Sequence, residues 1–269
     1  MTVLVPTDFS ENANQAIEYA AEICRATGSR LTLLHVIPDN QHGIRERLRT
    51  EETMSALSKA IADEYPGLAC DITITAGEVV EEILLEAERS EADLIVMGTQ
   101  GASNLGKLFF GSNTASVIEK ASCIVLSVPA ECNFKKPEKM LFSTNFTRED
   151  LKAAIEFVNL AKTFDAAVII AHVSVEHERE ELEASMVEIF ANEVVQLTGY
   201  KKLSSKVVSE NTIGMGLDAL IAETGADVIA LSTRRRKIFE KLYNPSLTKK
   251  LSLHANIPLF AFHSETVHA

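Results

Sequence analysis

Between Asp93 and Thr114 the chain reads Asp-Leu-Ile-Val-Met-Gly-Thr-Gln-Gly-Ala-Ser-Asn-Leu-Gly-Lys-Leu-Phe-Phe-Gly-Ser-Asn-Thr. Leu94 to Met97 is an apolar run suited to a buried strand. Gly98 and Gly101 open a loop, and Gly111-Ser112 suits a helix start. That order makes an anion cradle. Glycines let backbone come close to an anion, and the unpaired N–H groups of a helix start, with the helix dipole, favour negative charge. A second group with chemical potential is Pro6-Thr7-Asp8, because a carboxylate at a strand end accepts hydrogen bonds from a ribose hydroxyl or an adenine amine. Each part also has a plain reading: Asp8 as a turn residue, the glycine pair as an ordinary loop, and Gly111-Ser112 as a helix start only.

The elements that must hold these residues alternate in type. Thr2 to Pro6 is a short β-branched run broken by Thr7-Asp8-Phe9-Ser10. Ser10 suits an N-cap, followed by Ala13, Ile17, Ala20, Ala21 and Cys24 on one helical face and a stop at Gly28. Leu31 to Ile37 is a second apolar strand. A helix with Met54, Leu57 and Ile61 follows, closed by Pro66-Gly67. Asp-Ile-Thr-Ile-Thr inside residues 70–76 alternates as a strand does, and Val80, Ile83, Leu84 and Ala87 give the next helix an apolar face. The cradle strand, its loop, a helix through Val117 and a last strand from Cys123 to Val128 complete the series. Strands alternating with helices predict a parallel sheet covered on both faces.

The same series then recurs. Residues 140–146 repeat the first strand, and Thr144-Asn145-Phe146-Thr147 matches Thr7-Asp8-Phe9-Ser10 at an offset of 137. His172-Val173 matches His35-Val36 at the same offset. Asp227 to Leu231 matches Asp93 to Met97 at an offset of 134, and Ala255 to Leu259 matches Ala121 to Val125. Thr147-Arg148-Glu149-Asp150 has the pattern of a capping box. The chain of 269 residues is therefore expected to hold two copies of one domain, 1–132 and 138–269, joined near Lys135-Lys136-Pro137.

Composition narrows the function. The net charge is −12, and residues 1–134 carry 9 Lys and Arg against 20 Asp and Glu, so most of the excess sits in the first half. An acidic chain lacks the phosphate-neutralising surface that general nucleic-acid binding needs. No apolar run reaches the ~18–20 residues of a membrane span. Cys24, Cys70, Cys123 and Cys132 are scattered without a Cys-x-x-Cys pair, and Cys24 and Cys123 fall on apolar patterns. Buried thiols and a reducing cytoplasm are the expectation, with no leader peptide at the N-terminus. The seven histidines form no metal-ligand pattern, and no catalytic group is identified.

Gly98-x-x-Gly101, nine residues, then Gly111-Ser112, together with the acidic turn at Asp8 and the His-Val pair, resembles the nucleotide-binding signature of the universal stress protein family. The resemblance extends over both repeats. It implies a doubly wound, Rossmann-like α/β domain with five parallel strands in each half, and ATP-binding in the first. Asp8 and Val36 would lie against adenine or ribose, with Pro6 and Thr7 among the nucleotide-binding residues and Met97 on the ribose side. Gly98, Gly101, Gly111 and Ser112 would hold phosphates, with Asn113 and Thr114 next to them. Lys107 is an additional basic residue in the loop, more simply read as an exposed lysine.

The resemblance also implies a regulatory role in the stress response. The occupant would be ATP, ADP or AMP, with or without Mg2+. The two domains would pair through their last strands as a pseudo-dimer within one chain, and a homodimer is open; no protein partner is identified. At the positions of Gly98, Gly101 and Gly111 the second copy has Ser232, Arg235 and Pro245, keeping only Ser246 for Ser112, and Asn145 stands for Asp8. An arginine adds bulk where backbone must meet phosphate, and a proline removes a donor, so the nucleotide is expected in the first domain only. Arg234-Arg235-Arg236-Lys237 is either a grip for another anion or a solvated loop. A Walker loop is absent. A slow ATPase and a nucleotide-free scaffold are the alternatives to a non-catalytic ATP-binding protein.

Overall fold

The computed structural model describes residues 1–38, 43–99, 111–233 and 257–263. The chain divides into two compact units, Met1–Phe134 and Lys135–Ala269. In the first, the order is β1 (Thr2–Pro6), α1 (Glu11–Thr27), β2 (Arg30–Ile37), α2 (Ile44–Glu64), β3 (Cys70–Ala76), α3 (Val79–Arg89), β4 (Leu94–Gly98), α4 (Ser112–Lys120) and β5 (Ile124–Val128). These strands lie in the order β3-β2-β1-β4-β5, all parallel. The strand order reverses between β1 and β4, and in such sheets that crevice is where ligands bind.

The second unit repeats the plan. It comprises β6 (Lys139–Ser143), α5 (Arg148–Phe164), β7 (Ala167–Ser174), a 3₁₀ turn (His177–Arg179), α6 (Glu180–Thr198), β8 (Leu203–Ser209), α7 (Ile213–Thr224), β9 (Val228–Thr233) and β10 (Leu259–His263). Its strand order, β8-β7-β6-β9-β10, is again parallel throughout. The doubly wound α/β class read from the sequence is the class observed, once in each unit.

The apolar runs form strands because both faces of the sheet are covered. Val3, Leu4 and Val5 of β1 are fully buried, as are Leu31, Leu33 and Leu34 of β2, which is the pattern of a parallel sheet between helices. In the second unit the core closes around aromatic rings: Phe157 lies 5.9 Å from both Phe142 and Phe260, with Phe262 at 6.1 Å. Helix ends follow local chemistry. The Ser10 hydroxyl accepts the Ala13 N–H, and Gly28 ends α1 with φ at 68°. Thr147 and Asp150 form a reciprocal capping box on α5.

Asp93 and Asp227, matched in the repeat, turn out to tie strands at the end opposite the crevice. The Thr2 N–H donates to Asp93 Oδ2 at 2.7 Å. In the second unit Glu138 and Lys139 donate to Asp227 Oδ2 at 2.8 and 2.9 Å. The carboxylate locks the start of β4 or β9 to the start of its neighbour, and so sets which residues emerge at the other end. Two of the boundaries that differ from the sequence reading have a physical reason. Helix α2 begins at Ile44, well before Met54. Strand β6 stops at Ser143 rather than running to Phe146, because Phe146 takes a left-handed φ of 62°.

Candidate nucleotide site at the strand ends

The turn after β1 is built from four side chains. The Thr7 N–H continues the sheet by donating to Leu34 O at 2.8 Å. The Thr7 hydroxyl accepts the Phe9 N–H at 3.1 Å. His35 Nδ1 lies 2.8 Å from the Thr7 carbonyl oxygen; a carbonyl only accepts, so Nδ1 carries the proton. Phe9 has φ at 62°, a conformation that costs a non-glycine residue about 1–2 kcal/mol. Its ring stacks on His35 with centroids 4.5 Å apart, which offsets that cost. The effect is a turn that buries Thr7 and leaves Asp8 exposed, its Oδ1 accepting the Ser10 N–H at 3.0 Å. Asp8 thus presents a carboxylate at the mouth of the crevice from a rigid mount.

Beside it are the ends of β2 and β4. Pro6 ends β1, Val36 is buried near the end of β2, and Met97 is buried next to the last residue of β4, Gly98. Gly98 is required by packing rather than by φ. A Cβ there would fall 2.6 Å from Asn12 Oδ1 and 2.9 Å from the Asn12 backbone oxygen. Asn12 in turn donates to Val128 O at 3.0 Å, so the missing side chain lets α1 close over the ends of β4 and β5. Helix α4 begins beyond the loop with Gly111 as its N-cap and no side-chain cap. Thr114 is buried and donates to Gly98 O at 2.8 Å, which fixes the helix start against the strand end. Ser112 and Asn113 are exposed on the first turn. The first N–H groups of a helix have no partner within the helix and suit an anion; that of Gly111 donates to the Thr99 carbonyl oxygen.

Of the residues singled out from sequence, Pro6, Thr7, Asp8, Val36, Met97, Gly98, Gly111, Ser112, Asn113 and Thr114 gather at the carboxyl ends of β1, β2 and β4 and the start of α4. Gly101, Lys107, Arg234-Arg235-Arg236-Lys237, Pro245 and Ser246 lie outside the described residues. A cleft of about 250 Å3 extends the row past β2 to the end of β3, walled by Ile37, Ile44, Ile74 and Ala76, with Arg47 also lining it. Sequence reasoning missed this cleft, Asn12 and the Phe9–His35 stack. The stack had a signal, since phenylalanine and histidine recur together at the offset of 137. Asn12 had none.

The second unit keeps the turn and changes what surrounds it. Phe146 has the same φ of 62° and packs on His172 at 4.5 Å, and His172 Nδ1 lies 2.7 Å from Thr144 O. Here, however, Asp150 stands where the first unit has Ala13. Its Oδ2 accepts from the Asn145 N–H at 2.7 Å, the Thr144 hydroxyl at 3.2 Å and the Thr147 N–H at 3.3 Å. One buried carboxylate of the protein thus satisfies the turn from inside. Among the described residues no cluster of metal-ligating side chains occurs, and no helix is long and apolar enough to cross a membrane.

Two Rossmann-like units with the same strand-end turn define a tandem, doubly wound α/β protein. A family model described as the universal stress protein family matches residues 1–129. A universal stress protein of Thermus aquaticus, named for its place in the QAH/OAS sulfhydrylase 3' region, is 33% identical over 136 residues, covering 47% of this chain and 97% of that protein. The chain belongs to the universal stress protein family. A crystal structure of a universal stress protein from Archaeoglobus fulgidus DSM 4304 shares the fold over 97% of this chain and 96% of that one, with a TM-score of 0.74 and 22% identity. Another Archaeoglobus fulgidus member, solved in complex with dAMP, covers 47% of this chain and 96% of its own at 25% identity and a TM-score of 0.40.

Proposed function

We propose that this chain is a regulatory stress-response protein of the cytoplasm whose first unit alone holds an adenine nucleotide: ATP, ADP or AMP, with or without Mg2+. The observation that carries the reading is the contrast between two copies of one strand-end turn. The first presents an exposed carboxylate, Asp8, above the buried Ala13; the second has the amide of Asn145 exposed there and keeps its carboxylate, Asp150, buried beneath the turn. A ribose hydroxyl suits Asp8. The base suits the apolar cleft beside Val36. Phosphates suit the backbone at Gly98, Gly101, Gly111 and Ser112, with Asn113 in reach and Thr114 as a positioning residue. Neighbouring strands are about 4.8 Å apart, so base, sugar and phosphates follow one another along β3, β2, β1 and β4. By the family resemblance, the two units pair through β5 and β10. Cleavage within residues 131–139 is then expected to leave the halves co-eluting, and separate elution would contradict the pairing.

Thermal-shift measurements test the nucleotide. ATP with Mg2+ is expected to raise the melting temperature of the wild type, and Asp8→Ala and Gly101→Arg are expected to abolish the rise. No rise in the wild type would defeat the proposal and favour a nucleotide-free scaffold. Prolonged incubation with ATP, following ADP release against the Asp8→Ala control, separates a binding protein from a slow ATPase.

A further inference from the structure

Helix α6 is apolar on two sides. Val187, Phe190, Ala191 and Val194 are buried against its own unit. Leu182, Met186, Ile189 and Leu197 form a second stripe at spacings of four, three and eight residues, and these side chains are between 39% and 67% exposed. The helix also carries five glutamates, Glu180, Glu181, Glu183, Glu188 and Glu193, and no lysine or arginine. Glu183 faces His172 at 3.5 Å; the other four are exposed. An exposed apolar stripe within an all-acidic helix calls for an apolar partner with basic flanks.

The chain itself carries such a segment. At the start of α2, Ile44 and Leu48 are 84% and 55% exposed and stand four residues apart on one face. Helical spacing puts Arg45 and Arg49 on one side of that pair, exposed, and on the other Arg47, which pairs with Glu51 at 3.2 Å. We propose that α6 is a docking surface for the start of α2 of a second copy of this chain. Ile44 and Leu48 would pack on Leu182, Met186 and Ile189, and Arg45 and Arg49 would face Glu181 and Glu188. An acidic helix against its own copy would repel, so the contact joins unlike surfaces.

Sedimentation velocity of the full chain is the test. At low salt a concentration-dependent association is expected, weakened by high salt because exposed charge pairs are screened. Ile189→Glu and, separately, the pair Arg45→Glu with Arg49→Glu should each weaken it at least about tenfold, with melting temperatures unchanged. The pair Glu181→Lys with Glu188→Lys should also abolish it. Mixing the arginine-reversed and glutamate-reversed proteins restores both contacts and should restore association. A wild type that stays monomeric at all concentrations overturns the proposal. So does an association indifferent to Ile189→Glu and to charge reversal, or a mixture of the two reversed proteins that remains monomeric.

Discussion

Gly98 and Thr7 show how single residues set the strand-end geometry. Gly98→Ala places a methyl group against the Asn12 amide and backbone, and α1 backbone cannot swing away as a side chain can. The expected cost is about 1–3 kcal/mol, read as a lower midpoint in urea. Thr7→Val keeps the shape of the buried side chain and deletes the acceptor for the Phe9 N–H. About 1 kcal/mol is expected from that loss, read in the same way. The strand-end placement of Pro6, Thr7, Asp8, Met97 and Gly98 was largely legible in the sequence, because strand-end glycines and an acidic turn have local causes. The reason for Gly98 was not. It depends on Asn12, 86 positions away, and only the fold brings the two together.

At the level of elements, the same turn is finished in two ways, and each predicts a different sensitivity. Ser10→Ala removes the side-chain cap of α1, a loss of about 1 kcal/mol. Asp150→Ala removes three hydrogen bonds to one carboxylate oxygen, one of which is half of the α5 capping box. It should cost more, about 2–3 kcal/mol, and chemical denaturation of the two variants side by side checks the ranking. The caps at Ser10, Gly28 and Thr147 were readable, since each is a local pattern of residue types. The end of β6 was misplaced because Phe146 enters a left-handed conformation that nothing in its own side chain favours; packing against His172 holds it there. The early start of α2 was missed because its first turns are arginine-rich and expose Ile44 and Leu48, so they lack the buried face that marks the rest of the helix.

For the whole molecule, the buried thiol of Cys24 and the half-buried thiol of Cys123 set an alkaline limit. Burial pushes the Cys24 and Cys123 thiols from 9.0 up to about 12. Between those values the folded chain keeps protons that the unfolded chain has lost, so stability falls as pH rises from about 9 toward 12 and is unaffected by these groups below that window. Urea midpoints across that range should decline, and Cys24→Ala should lessen the slope. The doubled architecture was the most legible feature of all, because a repeat at offsets of 137 and 134 does not depend on interpreting any one element. The proposed division of labour between the copies rests on both the broken loop positions in the second repeat and the inward carboxylate of Asp150. Isothermal titration calorimetry of the full chain with ATP bears on that division most directly. One site per chain, lost in Gly101→Arg and kept in a variant of the second unit such as Ser232→Gly, is the predicted result; two equivalent sites, or one that survives Gly101→Arg, would contradict it.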